Sequence, residues 1–206
     1  MPEASRIAAI VLAAGRSTRM GEANKLLADI GGVAMVRNVV EAALASRARP
    51  VLVVTGHQAA EVGAVLAGLD ATLVANPDYA TGLASSLKAG LRAVPAECAG
   101  ALVVLGDMPR IAAPHLDALI AAFGDGPGAI VVPVREGRQG NPVLWPARFF
   151  PELLQLEGDA GAKRLLATRA ADVREIDLGT DAIFTDVDTP DALARMRGAR
   201  GSDPQR

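Results

Sequence analysis

The sequence predicts an α/β fold in which a mostly parallel central sheet is flanked by helices. Two observations carry the prediction. Short apolar runs rich in β-branched residues alternate with segments of helical periodicity, the order expected of strand–helix–strand units. The apolar content is also of one kind: 50% of the 206 residues are hydrophobic but only 3% are aromatic. Ala, Val, Leu and Ile of that kind suit helices packed on both faces of a parallel sheet.

Taken in order, Ile7–Ala13 is a continuous apolar run, as a strand covered on both faces should be. Met35 to Leu44 sets Met35, Val36, Val39, Val40, Ala43 and Leu44 on one helical stripe. Pro50 ends the connection and Val51–Thr55 reads as the second strand. Ala59–Leu66 is helical and Ala71–Ala75 is a third strand. Leu83–Ala93 is a helix with Pro95 beyond its end. Ala101–Leu105 is the most strand-like central segment, stopped by Gly106. Pro114–Phe123 is helical, with Pro114 near its start. Ala129–Val134 and Val143–Trp145 are further strands, the second following the turn Gly140-Asn141-Pro142. Ala160–Ala167 and Asp191–Met196 are the last helices, with short strands expected at Val173–Ile176 and Phe184–Val187. There is no internal repeat and no linker long enough to separate two domains. In such sheets ligands bind beyond the carboxyl ends of the strands, where the topology changes direction.

Composition excludes several classes. Twenty-one Lys and Arg against 23 Asp and Glu give a formal net charge of -2, unlike the basic face of a nucleic-acid binder. One cysteine, Cys98, excludes an internal disulfide framework, and two histidines, His57 and His115, argue against a histidine-rich metal site. No apolar run reaches the ~20 residues of a membrane span. Ile7–Ala14 after Arg6 is short for a signal peptide and better explained as a buried strand, so a cytoplasmic location is expected.

The strongest signal follows the first strand: Leu12-Ala13-Ala14-Gly15-Arg16-Ser17-Thr18-Arg19-Met20-Gly21, then Lys25. Small residues let the backbone approach a ligand closely, and successive N–H groups can form an anion site. Arg16, Arg19 and Lys25 bring three cations there, in a chain with only three lysines, Lys25, Lys88 and Lys163. A polyphosphate is the natural ligand; a plain solvated loop is the alternative. The loop is neither a Walker A loop nor a G-x-G-x-x-G dinucleotide loop.

With this loop the chain resembles the nucleotidyltransferases of the MobA-like NTP transferase superfamily, and within them the molybdenum cofactor cytidylyltransferases of the MocA type. The resemblance runs from Ile7 to about Met196. Further segments carry it in order: Asn76-Pro77 leading to Gly82-Leu83-Ala84-Ser85-Ser86-Leu87, Leu105-Gly106-Asp107-Met108-Pro109, Gly140-Asn141-Pro142, Gly158-Asp159-Ala160-Gly161-Ala162-Lys163 and Asp186-Val187-Asp188-Thr189-Pro190. It implies a three-layer, Rossmann-like nucleotidyltransferase fold in a single domain over 1–198. The nucleotide-binding half spans about 7–110 and the acceptor-binding half about 111–198, and 199–206 form a disordered tail. Leu-Ala-Ala-Gly rather than Leu-Ala-Gly-Gly points to the cytidylyltransferase branch. Asn24 stands before Lys25, where sugar-phosphate and isoprenoid nucleotidyltransferases usually have proline.

The implied reaction transfers CMP from CTP to the terminal phosphate of molybdopterin or the molybdenum cofactor and releases pyrophosphate, with Mg²⁺ as cofactor. The resemblance implies Lys25, Arg19 and Asp107 as catalytic residues. Leu12, Ala13, Ala14, Gly15, Arg16, Arg19, Lys25, Thr55, Gly82, Ser85 and Ser86 are implied to bind nucleotide. Asn141 and Lys163 are implied to meet the acceptor, and Asp107 and Asp188 the metal, with Asp186, two residues earlier and pointing the same way on an extended segment, as the alternative to Asp188. A molybdoenzyme or its chaperone would receive the product; nucleic acid and membrane are not expected partners. Plain alternatives stand beside several of these. Ser85 and Ser86 could cap a helix, Asp107 could be a turn aspartate and Asp188 a helix cap. Asn141 could be an ordinary turn residue and Lys163 a surface one. His57 is read as a loop or capping residue, His115 as facing solvent in a first helical turn, and Cys98 as structural.

Overall fold

The computed structural model describes residues 6–16, 24–124, 128–158 and 161–200. Eight strands form one sheet: β1 (Ile7–Ala13), β2 (Val51–Thr55), β3 (Thr72–Ala75), β4 (Gly100–Leu105), β5 (Ile130–Arg135), β6 (Arg138–Gln139), β7 (Val143–Pro146) and β8 (Val173–Asp177). The helices are α1 (Met35–Ala45), α2 (Ala59–Val65), α3 (Leu83–Arg92), α4 (Ala113–Phe123), α5 (Phe150–Leu153), α6 (Gly161–Thr168) and α7 (Pro190–Arg200). The strand order is β3-β2-β1-β4-β7-β5-β6, with β8 also pairing with β5. β1 pairs in parallel with β2 and β4, β2 with β3, and β5 with β8. β7 runs antiparallel between β4 and β5, and β6 folds back on β5.

The alternation of side chains along β1 divides the core into two layers. Ile7, Ala9, Val11 and Ala13 join the cluster containing Val36, Val39 and Val40 of α1 and Leu116 and Leu119 of α4. Ala8, Ile10, Leu12 and Ala14 join the opposite cluster with Leu87 and Leu91 of α3, Trp145 and Phe149. Helix α3 lies so close that a Cβ on Gly90 would stand 2.4 Å from Ile10 Cγ2. A third, small cluster of Ile30, Met35, Val187, Leu193 and Met196 docks α7 against the start of α1.

Two expectations need correction. Phe184–Val187 is not a strand: Asp181–Phe184 is a 3-10 turn, because the Thr180 side chain accepts from Ala182 N–H and starts a turn that buries Ala182 and Ile183. The chain after it runs as irregular backbone to α7. That helix continues to Arg200, further than Asp191–Met196 and into the expected tail; 201–206 lie outside the described residues. No described helix is long and apolar enough to cross a membrane.

Candidate active site

From β1 the chain moves outward to β2 and β3 on one side, while β4 lies on the other. The sheet therefore changes direction between β1 and β4, and the loops leaving the two strands diverge there to leave a crevice. Gly106 allows the close approach at its floor. Its N–H donates to Leu12 O at 3.0 Å, and a Cβ on it would stand 2.9 Å from that same oxygen. The next residue, Asp107, is thereby aimed from the carboxyl edge of β4.

Lys25 reaches the same point from the loop after β1. Its backbone opens a 3-10 turn, Lys25–Leu27, which Asn24 caps: Asn24 Oδ1 accepts from Leu26 N–H at 3.0 Å. The residue that departs from proline is thus the one that sets the lysine's direction. Lys25 Nζ donates to Asp107 Oδ2 at 2.6 Å and also to Asp188 Oδ1. Asp188 comes from 163 residues along the chain. It is held in place by the preceding residue: Val187 N–H donates to Asp107 O at 3.1 Å, and its side chain is fully buried in the α7 cluster. Burial works against the Lys25 ammonium. The charges and hydrogen bonds of Asp107 and Asp188 outweigh that and hold its pKa above the ordinary lysine value. Asp186, two residues before Asp188, is exposed. Partial burial, with the Asp188 and Asp107 charges adding to it, raises its carboxyl above the usual range, against its own backbone hydrogen bond and Lys25.

The two carboxylates fit a hard divalent cation. Asp107 Oδ1 is buried and accepts no hydrogen bond among the described residues, leaving an oxygen ligand in place. No group of three or more His, Cys, Asp and Glu that could hold a metal gathers among the described residues, here or elsewhere. One or two carboxylates completed by water and substrate phosphate is the arrangement Mg²⁺ favours. Arg16 is exposed at the end of the described part of the loop. Arg19 lies outside the described residues, as do Ser17, Thr18, Met20 and Gly21.

Of the other residues singled out for the nucleotide, Leu12, Ala13 and Ala14 are buried at the end of β1, and among the described residues nothing stands within 4 Å of where a Cβ on Gly15 would lie. Ala14 O accepts from His57 N–H at 3.2 Å, joining the loops after β1 and β2. The His57 ring stands 6.1 Å from Tyr79. Thr55 is 4% exposed, and its carbonyl accepts from Asn76 N–H at 2.8 Å. The serines do not cap α3, which begins at Gly82 (φ 115°) without a side-chain cap. Instead Asn76 Nδ2 donates to Ser85 Oγ at 2.9 Å and to Ser86 Oγ at 3.1 Å, while Asn76 Oδ1 accepts from Asp78 N–H. Buried Asn76 thus organises the loop. Its signal in the sequence was the Asn-Pro step ahead of the glycine. His115, rather than simply facing solvent, accepts through Nδ1 from Ala112 N–H at 3.1 Å and closes the first turn of α4.

Asn141 and Lys163, 22 residues apart in sequence, line one pocket of about 210 Å³. Gly140 sets Asn141 there by pressing on the 3-10 turn of Asp181–Phe184: a Cβ on it would stand 2.6 Å from Ile183 O, and Asn141 N–H donates to that oxygen at 3.0 Å. The rest of the lining is mostly apolar, including Leu12, Leu87, Leu105, Val143 and Trp145. No pattern in the sequence marks Trp145 for this role, because a lone tryptophan in a strand reads as core.

Comparison with known proteins places this arrangement. Residues 9–173 match the MobA-like NTP transferase domain. The chain is 30% identical to the purine catabolism protein PucB of Bacillus subtilis, covering 92% of this chain and 95% of the relative. It is 29% identical to the molybdenum cofactor cytidylyltransferase of Escherichia coli, covering 91% and 93%. Identity reaches 38% with the bifunctional protein GlmU of Kineococcus radiotolerans, but over 61% of this chain and only 26% of that one. The crystal structure of Rv0371c from Mycobacterium tuberculosis superposes with a TM-score of 0.84 at 29% identity, covering 95% of this chain and 100% of that one. Rv0371C has also been solved as a complex with manganese. With its mostly parallel sheet, its crevice between β1 and β4 and this match along most of its length, the chain belongs to the MobA-like NTP transferase domain family.

Proposed function

We propose that the protein is a nucleotidyltransferase that moves CMP from CTP to the terminal phosphate of molybdopterin or the molybdenum cofactor, within one domain. The observation that carries the reading is the meeting of Lys25, Asp107 and Asp188 at the switch point of the sheet. The likeness to the cytidylyltransferase of E. coli and the Leu12-Ala13-Ala14-Gly15 loop support the choice of CTP. The site is served in a cytoplasmic protein by free nucleotide, and a molybdoenzyme or its chaperone takes the product.

In the reaction an oxygen of the acceptor phosphate attacks the α-phosphorus in line. A new P–O bond forms as the bond to the β-phosphate oxygen breaks and the electron pair leaves with pyrophosphate. Little covalent help is needed, so the chain's part is alignment and charge neutralisation. Asp107 and Asp188 would hold Mg²⁺, which supplies positive charge at the α-phosphate and the leaving group. Lys25 donates to the α-phosphate. Arg16, Arg19 and the amides around Gly15 hold the β- and γ-phosphates, and Gly82 and the Asn76–Ser85–Ser86 network shape the base site. Asn141 and Lys163 orient the acceptor.

The experiment is pyrophosphate release with each NTP, with and without the molybdenum-bound pterin. Release that needs both CTP and the pterin is expected. Equal release with GTP, or no pterin-dependent release with any NTP, overturns the reading. A related transferase acting on a different small phosphorylated acceptor, from GTP or another NTP, is the second reading. It is favoured by the largely aliphatic pocket around Asn141 and Lys163, since a pterin edge rich in donors and acceptors would need more polar partners there.

A further inference from the structure

We propose that Lys25 occupies the cation position between Asp107 and Asp188 in the resting protein, so that the site takes a preformed metal–nucleotide chelate and rejects free divalent metal. The proposal rests on the nucleotidyltransferase reading and deepens it by fixing the form in which the nucleotide enters.

Both carboxylates are anchored independently of Lys25. Asp107 is set by the Gly106 contact with Leu12, and Asp188 by the Val187 hydrogen bond to Asp107 O and by the buried α7 cluster. Two carboxylates held this close repel each other unless a cation lies between them. The Lys25 ammonium fills that role: its Nζ donates to one oxygen of each, with the lysine and Asp107 side chains only 13% and 17% exposed. A free metal ion arriving alone would have to displace this ammonium and leave it beside a dication.

A lysine head is a compact charge on a four-carbon stem, so it can move while its backbone stays fixed. Here the backbone is fixed, in the Asn24-capped turn. A nucleotide changes the balance because it brings its own anionic oxygens. The ammonium exchanges carboxylate for phosphate, and the metal that travels with the phosphates takes the place between Asp107 and Asp188. Asp107 Oδ1, buried and accepting no hydrogen bond among the described residues, is the oxygen ready for that exchange. The ammonium leaves carboxylate only as it meets phosphate, while the metal would keep its phosphate oxygens and add the two carboxylates.

The test follows Mn²⁺ binding by the loss of the free-ion paramagnetic resonance signal, with no turnover involved. The unmodified protein alone is expected to bind Mn²⁺ at least tenfold more weakly than Lys25→Met, which keeps the stem and removes the charge. Adding Asp107→Asn to Lys25→Met should abolish the gain. A Lys25→Met protein that binds Mn²⁺ no more tightly than the unmodified one overturns the proposal. A second measurement needs no variant: Mn²⁺ alone should leave the Tm of the unmodified protein unchanged, while Mn²⁺ with CTP raises it. A rise with Mn²⁺ alone equal to that with Mn²⁺ and CTP overturns the proposal even if Lys25→Met does not fold. If Lys25→Met gains Mn²⁺ affinity but no nucleotide ever binds, the placeholder stands and the functional reading falls. If CTP binds with Mn²⁺ and no gain is seen, the placeholder alone falls.

Discussion

The crevice between β1 and β4 and the pocket between α3, α6 and β7 border the same sheet but work by opposite means. The crevice holds two carboxylates and an ammonium, brought from residues 25, 107 and 188 and joined by short hydrogen bonds. The pocket is walled by Leu12, Leu87, Leu105, Val143 and Trp145, with Asn141 and Lys163 among its few polar groups. In the crevice a single residue carries a function, because one charge in a partly buried site has few substitutes. In the pocket function is spread over many side chains, because shape is a joint property. In the proposed reaction the chemistry of transfer would thus be concentrated in the first region and the choice of acceptor distributed over the second.

The sharpest way to break this contrast is Asp107→Ala. Mg²⁺-dependent pyrophosphate release should fall on the order of a thousandfold, with the circular dichroism spectrum kept; a fall of less than tenfold would show the crevice to be as redundant as the pocket. Next comes Gly106→Ala. The added Cβ meets backbone at Leu12 O, 2.9 Å away, and should cost about 1–3 kcal/mol of stability, read by urea unfolding, together with lost turnover as Asp107 shifts. On the pocket side, Ala162→Phe fills space among the lining residues. It should raise the acceptor KM roughly tenfold and leave the nucleotide KM alone; equal changes in both would merge the two regions. Between them, Ser86→Ala removes an acceptor from the buried Asn76 amide and should cost about 1 kcal/mol in denaturant titration.

The smallest effect is expected away from both regions, at Cys98. Burial, with Glu97 adding and Arg6 opposing, pushes the thiol above its ordinary range. The folded chain therefore keeps a proton that the unfolded chain gives up first. This contribution to stability is complete below the ordinary thiol range and is lost as pH rises through the raised value. The Tm of the unmodified protein should fall slightly faster than that of Cys98→Ala between neutral and alkaline pH.

The same contrast explains what could be read from the sequence. β1, β2 and α1 follow from local pattern, because strands covered on both faces and a helix with one apolar stripe write their burial into consecutive residues. Asp107 stood out as a charge next to glycine at a strand end, and Lys25 as one of only three lysines, placed just after the glycine-rich loop. The Asp181–Phe184 turn was not legible. Its apolar residues serve Gly140 and Asn141 some forty positions away, and local pattern cannot distinguish that from a strand. β6, two residues long and exposed, leaves no periodicity to detect. The role of Trp145 emerges only once α3 and α6 are laid over β7.

The hydrogen bond from Val187 to Asp107 has a consequence for synthesis of the chain. A further 163 residues must leave the ribosome after Lys25 before Asp188 can join it and Asp107, and α7 must dock to keep it there. Domains fold as they emerge, amino-terminal part first, so strands β1 to β4 can form while the Lys25–Asp107–Asp188 cluster is still incomplete. A nascent chain, or one cut before Asp188, would have these strands but only one of the two carboxylates that meet Lys25. Docking of α7 is in this way made a condition for assembling Lys25, Asp107 and Asp188.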